Sequence, residues 1–205
     1  MATAPGGICF ENLHEKAQLI HGGFSKIEQL LDPVSACDAA MMIGQHAMAG
    51  IKEANLNHTQ SDKTIEFYKL NGKKIGEISQ FFLYAGTFDV PVIFLSGDEA
   101  ACNEAKDLVP EISTVSVKQG LGRNCAISLS AKESCRRIRE GIRKALCEHS
   151  HRPISPLKWD PPYVLEKRFF HTDTVDRLSK LPNIEIVDEL TVRIHGDDIK
   201  RIVYA

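Results

Sequence analysis

Length, composition and charge restrict the class of protein that this sequence encodes. The 205 residues include 25 Lys and Arg against 27 Asp and Glu, a formal net charge of −2. A chain so close to neutral gives no electrostatic reason to expect nucleic acid or an anionic membrane as partner. No apolar run approaches the ~20 residues of a membrane helix, and the first residues lack the pattern of a secretory signal. We therefore expect a cytoplasmic protein, with 43% apolar residues to build one globular core.

The first quarter of the chain carries few regular patterns. Residues 1–25 are predicted to be mostly loop, because Gly6-Gly7 and Gly22-Gly23 interrupt them. The apolar run Cys37–Ile43 predicts a buried strand, and Gly44 would let the backbone turn sharply after it.

Strands and helices alternate through the middle of the chain. In order, we predict a loop over 50–63, a strand over Ile65–Leu70, a hairpin turn at Asn71-Gly72, a helix from Gly76 to Gly86, a strand over Val90–Leu95, a helix over Glu99–Leu108 capped by Asp98, and a strand over Thr114–Lys118. The unbroken apolar run at 90–95 is typical of a strand buried on both faces. This alternation predicts an α/β fold with a largely parallel sheet flanked by helices.

The last third of the chain begins with a long helix and ends in a less regular portion. Ser130 and Glu133 form a capping box for that helix, whose predicted inner face is Cys135, Ile138, Ile142 and Leu146. A Pro-rich linker at 152–162 leads to an α+β portion at 163–205. Its predicted elements are a strand over Tyr163–Phe170, a helix over Asp173–Leu181 capped by Thr172, strands over Ile184–Val187 and Thr191–Ile194, and a short helix over Asp197–Tyr204. We treat 1–205 as a single domain.

Two histidines and one glutamate stand where predicted elements begin or end. His46 follows the first strand in a Gly-x-His turn, the edge at which α/β folds bind ligands. His58 stands between Asn57 and Thr59, which could orient it, and Glu77 opens a helix, where a carboxylate also simply favours the helix dipole. Spacing leaves two possibilities open, a zinc site and acid–base chemistry.

Two further groups of residues carry weaker signals. Lys118 and Arg123 belong to a Gly-rich basic loop that could hold an anionic group, although it matches no phosphate-loop pattern. We take both, with Asn57, as candidate substrate contacts. The six cysteines form no C-x-x-C pair, so we expect reduced thiols, several of them in the core. Cys125 is a candidate nucleophile near Arg123, which makes a cysteine amidase the least favoured hypothesis.

Several sequence blocks together carry a family resemblance. IGQHAMAG, LNHTQS, NGKKIGEISQ, VPVIFLSGDEA and VSVKQGLGRNCAISLSAKES resemble consecutive blocks of the zinc-dependent D-aminopeptidases of the DppA type, from about Asn12 to the C-terminus. The resemblance implies that His46 and Glu77 bind zinc and that His58 is catalytic. It also implies an enzyme that removes N-terminal residues, preferably D-amino acids, from short peptides. The same resemblance implies two zinc ions per site and assembly into a homo-oligomeric ring.

The sequence also departs from that family pattern. Family members carry S-x-D-x-E-G and D-x-H-G blocks that supply further zinc ligands and the first strand of the sheet, and this sequence has neither. We therefore expect His46, His58 and Glu77 to converge in one pocket that holds at most one zinc, and we expect little or no peptidase activity. The alternative is an inactive structural or peptide-binding subunit of the ring.

Overall fold

A computed structural model describes residues 8–20, 22 and 25–205. The glycine pair predicted at Gly6-Gly7 and the second member of the pair at Gly22-Gly23 lie outside the described residues. Within these ranges we find no helix with the length and hydrophobicity of a membrane span.

Nine strands and six helices are present in the described ranges. The strands are β1 (Ala40–Gln45), β2 (Ile65–Leu70), β3 (Lys73–Ile75), β4 (Val92–Asp98), β5 (Ser113–Gly122), β6 (Cys125–Ser128), β7 (Tyr163–Phe169), β8 (Ile184–Asp188) and β9 (Thr191–Gly196). The helices are α1 (Glu28–Leu31), α2 (Glu77–Gly86), α3 (Glu99–Leu108), α4 (Ala131–His151), α5 (Thr172–Leu178) and α6 (Ile199–Ile202), with 3₁₀ turns at Phe10–Asn12 and Asp32–Ala36.

The first sheet is largely parallel, as predicted. Its strand order is β1-β4-β5-β6, with β1, β4 and β5 parallel and only β6 antiparallel. Every residue of β4 is buried, which confirms the interpretation of its apolar run. Ile78 and Ala101 bring α2 and α3 into one core cluster with Leu95, whereas Ala145 of α4 packs with Ile93 in another. Helices therefore flank the sheet.

The second sheet is antiparallel, in the order β3-β2-β7-β9-β8. The predicted hairpin over 65–75 is confirmed, but it pairs through β2 with β7 and so joins the C-terminal strands. The segment 152–162 contains no helix or strand. Its Leu157 packs against both large core clusters, and its carbonyl lies so close to Gly86 that a side chain there would collide with it.

Two predicted segments end differently because the chain stays extended beyond the point at which glycines predict a turn. The first strand begins at Ala40 rather than Cys37 and continues through Gly44, which has a φ of +80° but lies within β1. The predicted Gly-rich loop from Lys118 to Arg123 is the end of β5 and the turn to β6. Most of this segment is therefore strand rather than loop.

Helix capping is confirmed in one case and wrong in two. The Ser130 hydroxyl accepts a hydrogen bond from the Glu133 N–H at 3.3 Å, as the capping box predicts. Asp98 precedes α3, but its side chain makes no capping bond. Thr172 is the first residue of α5 rather than its cap, and the capping position falls to His171.

The inner face of α4 is turned slightly from the predicted one. Cys135 and Leu146 are exposed, and the residues nearest the sheet are Ile138, Gly141, Ile142 and Ala145. A Cβ at Gly141 would lie 2.5 Å from Val115 Cγ2, so at that glycine the helix lies too close to the sheet for a side chain.

Candidate metal centre

Three side chains from three different segments meet in one place. His46 follows β1 directly, His58 lies in the loop over 50–63, and Glu77 is the first residue of α2. One ligand atom from each lies within 4.8 Å of the other two, and all three residues are partly buried. The expected convergence of these residues is confirmed.

The hydrogen bonds of His46 fix which ring nitrogen carries its proton. Nδ1 lies 3.0 Å from the carbonyl oxygen of Ala47, and a carbonyl can only accept, so Nδ1 is the protonated nitrogen. Nε2 lies 3.3 Å from Glu77 Oε2. In the neutral ring this would set a lone pair against a carboxylate oxygen, so the contact calls for a proton or a metal cation between them.

His58 has the same arrangement. Its Nδ1 lies 2.7 Å from the carbonyl oxygen of Leu56, which leaves Nε2 as the nitrogen with a free lone pair. Its ring stacks on that of His46, with the ring centres 3.9 Å apart and the planes 19° from parallel. Both imidazoles are thus oriented by main-chain carbonyls, as metal-ligating histidines commonly are.

Glu77 is held at one oxygen and free at the other. The Gln60 N–H donates to Oε1 at 2.9 Å, and Oε2 faces His46. Burial alone would raise the pKa of Glu77, but the hydrogen bond and the charge of His46, with the Gln60 N–H, lower it overall. Burial likewise would lower the pKa of His46, but its hydrogen bonds to Glu77 and the Ala47 carbonyl, with the charges of Glu77 and Glu104, together raise it. The negative potential that favours the imidazolium also favours a divalent cation.

The loop over 50–63, which carries His58, is tied down by its own polar side chains. The buried hydroxyl of Thr59 accepts from the Ala49 N–H at 3.2 Å. The Asn57 amide accepts from the Gly50 N–H at 3.3 Å and donates to the Ala54 carbonyl at 2.8 Å. Asn57 therefore shapes the loop, and its role as a substrate contact stays a prediction.

Asp98 is a supporting residue that the sequence did not reveal in this role. It is 1% exposed, and its two carboxylate oxygens accept from the Asn55 N–H at 3.0 Å and the Gly120 N–H at 3.2 Å. It thereby fastens the His58 loop to the end of the parallel sheet. The available signal is a carboxylate three residues after the apolar run that ends at Leu95, and the local pattern there predicts only a helix cap.

Glu104 is a second residue that sequence reasoning missed. It is 7% exposed and accepts from the Met48 N–H at 2.8 Å through Oε2, and within the described ranges Oε1 has no hydrogen-bond partner. Burial raises its pKa to about 7. It lines a cavity of about 340 Å³ that Met48 and Asp107 also border. Its position beside Ala101 and Ala105, on the buried stripe of α3, was the usable signal.

The two basic residues predicted to contact substrate lie in different surroundings. Arg123 is exposed, its guanidinium is 3.6 Å from Asp62 Oδ2, and its carbonyl accepts from the Leu56 N–H at 2.6 Å. It therefore borders the His58 loop. Lys118 lies within β5, opposite Ser128 of β6, and no ion pair of the described residues joins it to the three clustered side chains. Both assignments to substrate binding stay predictions.

The burial of the cysteines differs from the prediction. All six cysteines are free, and only Cys102 is buried, so the prediction of several core cysteines is wrong. Cys125 is exposed on the antiparallel strand β6. None of the histidines in the described ranges forms a hydrogen bond with it, so no histidine among these residues is paired with this thiol.

The donor set formed by His46, His58 and Glu77 suits zinc. Two imidazole nitrogens and one carboxylate oxygen are the ligands that catalytic zinc takes from proteins, with the fourth position left for water or substrate. Four features match such a site: the ligand types, the 4.8 Å cluster, the two fixed imidazole tautomers and the outer hydrogen bond to Glu77. His46 and Glu77 therefore fit as ligands of one zinc ion, and His58 lies close enough to serve either as a third ligand or as an acid–base group beside it.

Comparison with known proteins adds a family and a fold. The sequence profile described as D-aminopeptidase matches residues 6–205. The D-aminopeptidase of Bacillus subtilis (strain 168) is 30% identical over 193 residues, which cover 92% of this chain and 68% of that protein. The solved structure described as "Zn-dependent D-aminopeptidase DppA from Bacillus subtilis, a self-compartmentalizing protease" superposes with a TM-score of 0.84 at 27% identity. That match covers 93% of this chain and 69% of the DppA chain.

Proposed function

This chain belongs to the D-aminopeptidase family. On that premise we propose, in place of the little or no activity that the sequence led us to expect, that it is a zinc peptidase that releases N-terminal residues, D-amino acids preferentially, from short peptides. The observation that carries the proposal is the cluster of His46, His58 and Glu77 within 4.8 Å. The Zn-dependence stated for the structural relative supports the choice of metal.

In this proposal each of the three residues has a separate task. His46 and Glu77 would hold one zinc ion, and their Nε2 and Oε2 atoms lie 3.3 Å apart. When bound, zinc polarises the scissile carbonyl and lowers the pKa of a water molecule. His58 acts as the acid–base group, because its proton-bearing Nδ1 is bound to the Leu56 carbonyl and its Nε2 is free to take and return a proton.

The proposal extends to assembly. The structural relative is described as self-compartmentalizing, and we propose that this chain likewise forms a homo-oligomeric ring around its peptide substrates. Sedimentation or light scattering of the purified protein would measure the number of subunits. A monomer at micromolar concentration would remove this part of the proposal without affecting the zinc site.

The test separates metal binding from proton transfer. Zinc content, zinc affinity and hydrolysis of D-alanyl and L-alanyl peptides would be measured for the wild type and for His46→Gln, Glu77→Gln and His58→Gln. We expect the first two variants to lose zinc and hydrolysis together. His58→Gln should keep zinc but lose a factor of ~10²–10⁴ in rate. The control is His195→Gln, which removes a surface pair with Glu185 on the second sheet.

Each of the other results has a definite meaning. Loss of zinc in His58→Gln would show that His58 is a ligand rather than the acid–base group. A wild-type protein that assembles and binds peptides, yet neither binds zinc nor hydrolyses them, would replace this proposal with the inactive ring subunit.

A further inference from the structure

Gln80 is a fully buried polar residue, one turn after Glu77 on the same helix. Its side chain is completely buried. The amide Nε2 donates to the Val203 carbonyl at 2.6 Å, and Oε1 accepts from Gln60 Nε2 at 2.8 Å. Burial of an amide is unfavourable unless both ends are hydrogen-bonded, and here both ends are.

Gln60 is attached to α2 at two points. Its side chain is bonded to Gln80, and its main-chain N–H donates to Glu77 Oε1. Its φ of 62° is in the left-handed region, which residues other than glycine adopt only where their surroundings hold them. The bond to Gln80 is one such restraint, and Gln60 is only two residues from His58.

We infer that Gln80 is a positioning residue for the metal centre, acting through Gln60 on the carboxylate of Glu77. The inference rests on the proposed zinc function. Because the Gln60 N–H occupies Glu77 Oε1, the other oxygen, Oε2, is directed at His46 and is available to the metal. The same restraint fixes the end of the loop that carries His58. The sequence of contacts runs from the Val203 carbonyl in the C-terminal segment, through both glutamines, to the ligand.

A simpler role for Gln80 would be to join α2 to the C-terminal segment around α6. That role predicts a loss of stability when the amide is removed, with zinc affinity unchanged in the molecules that remain folded. The positioning role predicts that zinc affinity falls even when only the exposed partner, Gln60, is changed. The two roles therefore differ in a measurable quantity.

The experiment is a double-mutant cycle on Gln60→Met and Gln80→Met, with zinc affinity measured by competition with a chromogenic chelator. Methionine keeps the length of the side chain and removes both hydrogen-bonding groups. Because Gln60 is exposed, its variant folds even if Gln80→Met does not. The matched control is Leu83→Val, which weakens the packing of the same helix in the core but removes none of the hydrogen bonds of the two glutamines.

We expect each glutamine variant to bind zinc ~10–100-fold more weakly, the range for partners of metal ligands. The double variant should be no weaker than the weaker single variant, because both changes break the same link. Leu83→Val should lower stability and leave zinc affinity unchanged. Wild-type affinity in Gln60→Met, or additive losses in the double variant, would overturn the inference.

Amide hydrogen exchange of the zinc-free protein gives a second readout, independent of metal and of activity. The Gln60 N–H should exchange faster in Gln80→Met than in the wild type and remain protected in Leu83→Val. Wild-type protection in Gln80→Met would overturn the inference by itself. A wild-type protein that binds no zinc would refute the proposed function, and the exchange data would still decide whether Gln80 positions Gln60.

Discussion

Replacing Lys167 with methionine should stabilise the protein at neutral pH. Lys167 lies on the core-facing side of β7, between Leu165 and Phe169, and is only 8% exposed. Its ammonium group lies 4.8 Å from the centre of the Tyr68 ring. Burial lowers its pKa from 10.5 to about 8, and burial raises the pKa of Tyr68, which therefore stays neutral. The charged lysine is thus an unfavourable feature of this core.

The pKa gives the size of the effect. A lowering from 10.5 to about 8 corresponds to ~3 kcal/mol of destabilisation while the folded protein keeps the proton. Methionine removes that cost but also loses the cation–π contact, worth ~0.5–2 kcal/mol. We expect Lys167→Met to raise the free energy of unfolding by ~1–2 kcal/mol at pH 7.

The effect should depend on pH with a known sign. Between about pH 8 and 10.5 the unfolded state holds more protons at this lysine than the folded state, so wild-type stability rises with pH over that interval. The advantage of Lys167→Met should therefore shrink as the pH rises from 7 to 9.5. Urea denaturation at both pH values would measure it, with Lys69→Met, which breaks a partly exposed pair with Glu166, as the control.

Two results would refute this reasoning. One is a Lys167→Met variant less stable than the wild type at pH 7. The other is an advantage that is the same at pH 7 and pH 9.5, since that would show that the charge on Lys167 is not its cause.

Two further substitutions test the support of the metal centre. Gly76→Ala places a Cβ 2.5 Å from Met48 Cβ and 2.9 Å from Glu104 Oε1. We expect this overpacking to destabilise the protein by ~1–3 kcal/mol, which urea denaturation would measure. We also expect the variant to bind zinc more weakly. In the wild type, both carboxylate oxygens of Asp98 accept hydrogen bonds from main-chain N–H groups. Asp98→Asn replaces one oxygen with an NH₂ group, which cannot accept, so we expect ~1–3 kcal/mol of destabilisation. Faster amide exchange at Asn55 would confirm that the His58 loop is released, and unchanged exchange would contradict it.

Local sequence patterns predict most individual helices and strands, because each of these elements is determined largely by residues close together in sequence. The helix over Glu99–Leu108 was predicted with its observed bounds, and the apolar run after Pro91 is the fully buried β4. The pairing of β2 could not be obtained in this way. Tyr68 lies opposite Lys167, 99 positions later (167 minus 68), and alternation shows that a segment is a strand without showing which strand it joins.

In the candidate site, too, the residues marked by local patterns were predicted and those that depend on distant partners were not. The turn after the first strand located His46, and the start of a helix located Glu77, because both signals depend on neighbours in sequence. The roles of these residues and of His58 came from the family resemblance. The supporting residues Asp98 and Gln80 were missed because their partners, such as Gly120 and Val203, are distant in sequence.

The supporting residues explain how two sheets can define one metal centre. Asp98, at the end of the parallel sheet, binds the main chain of the His58 loop at Asn55, before His58. Gln80 binds Gln60, after His58, and, through the Val203 carbonyl, the segment at α6 that packs on the antiparallel sheet. The loop that carries His58 is therefore connected to both sheets, to one on each side of the histidine. Because buried amides and carboxylates lose free energy if a partner moves away, this arrangement couples the position of His58 to elements of both sheets.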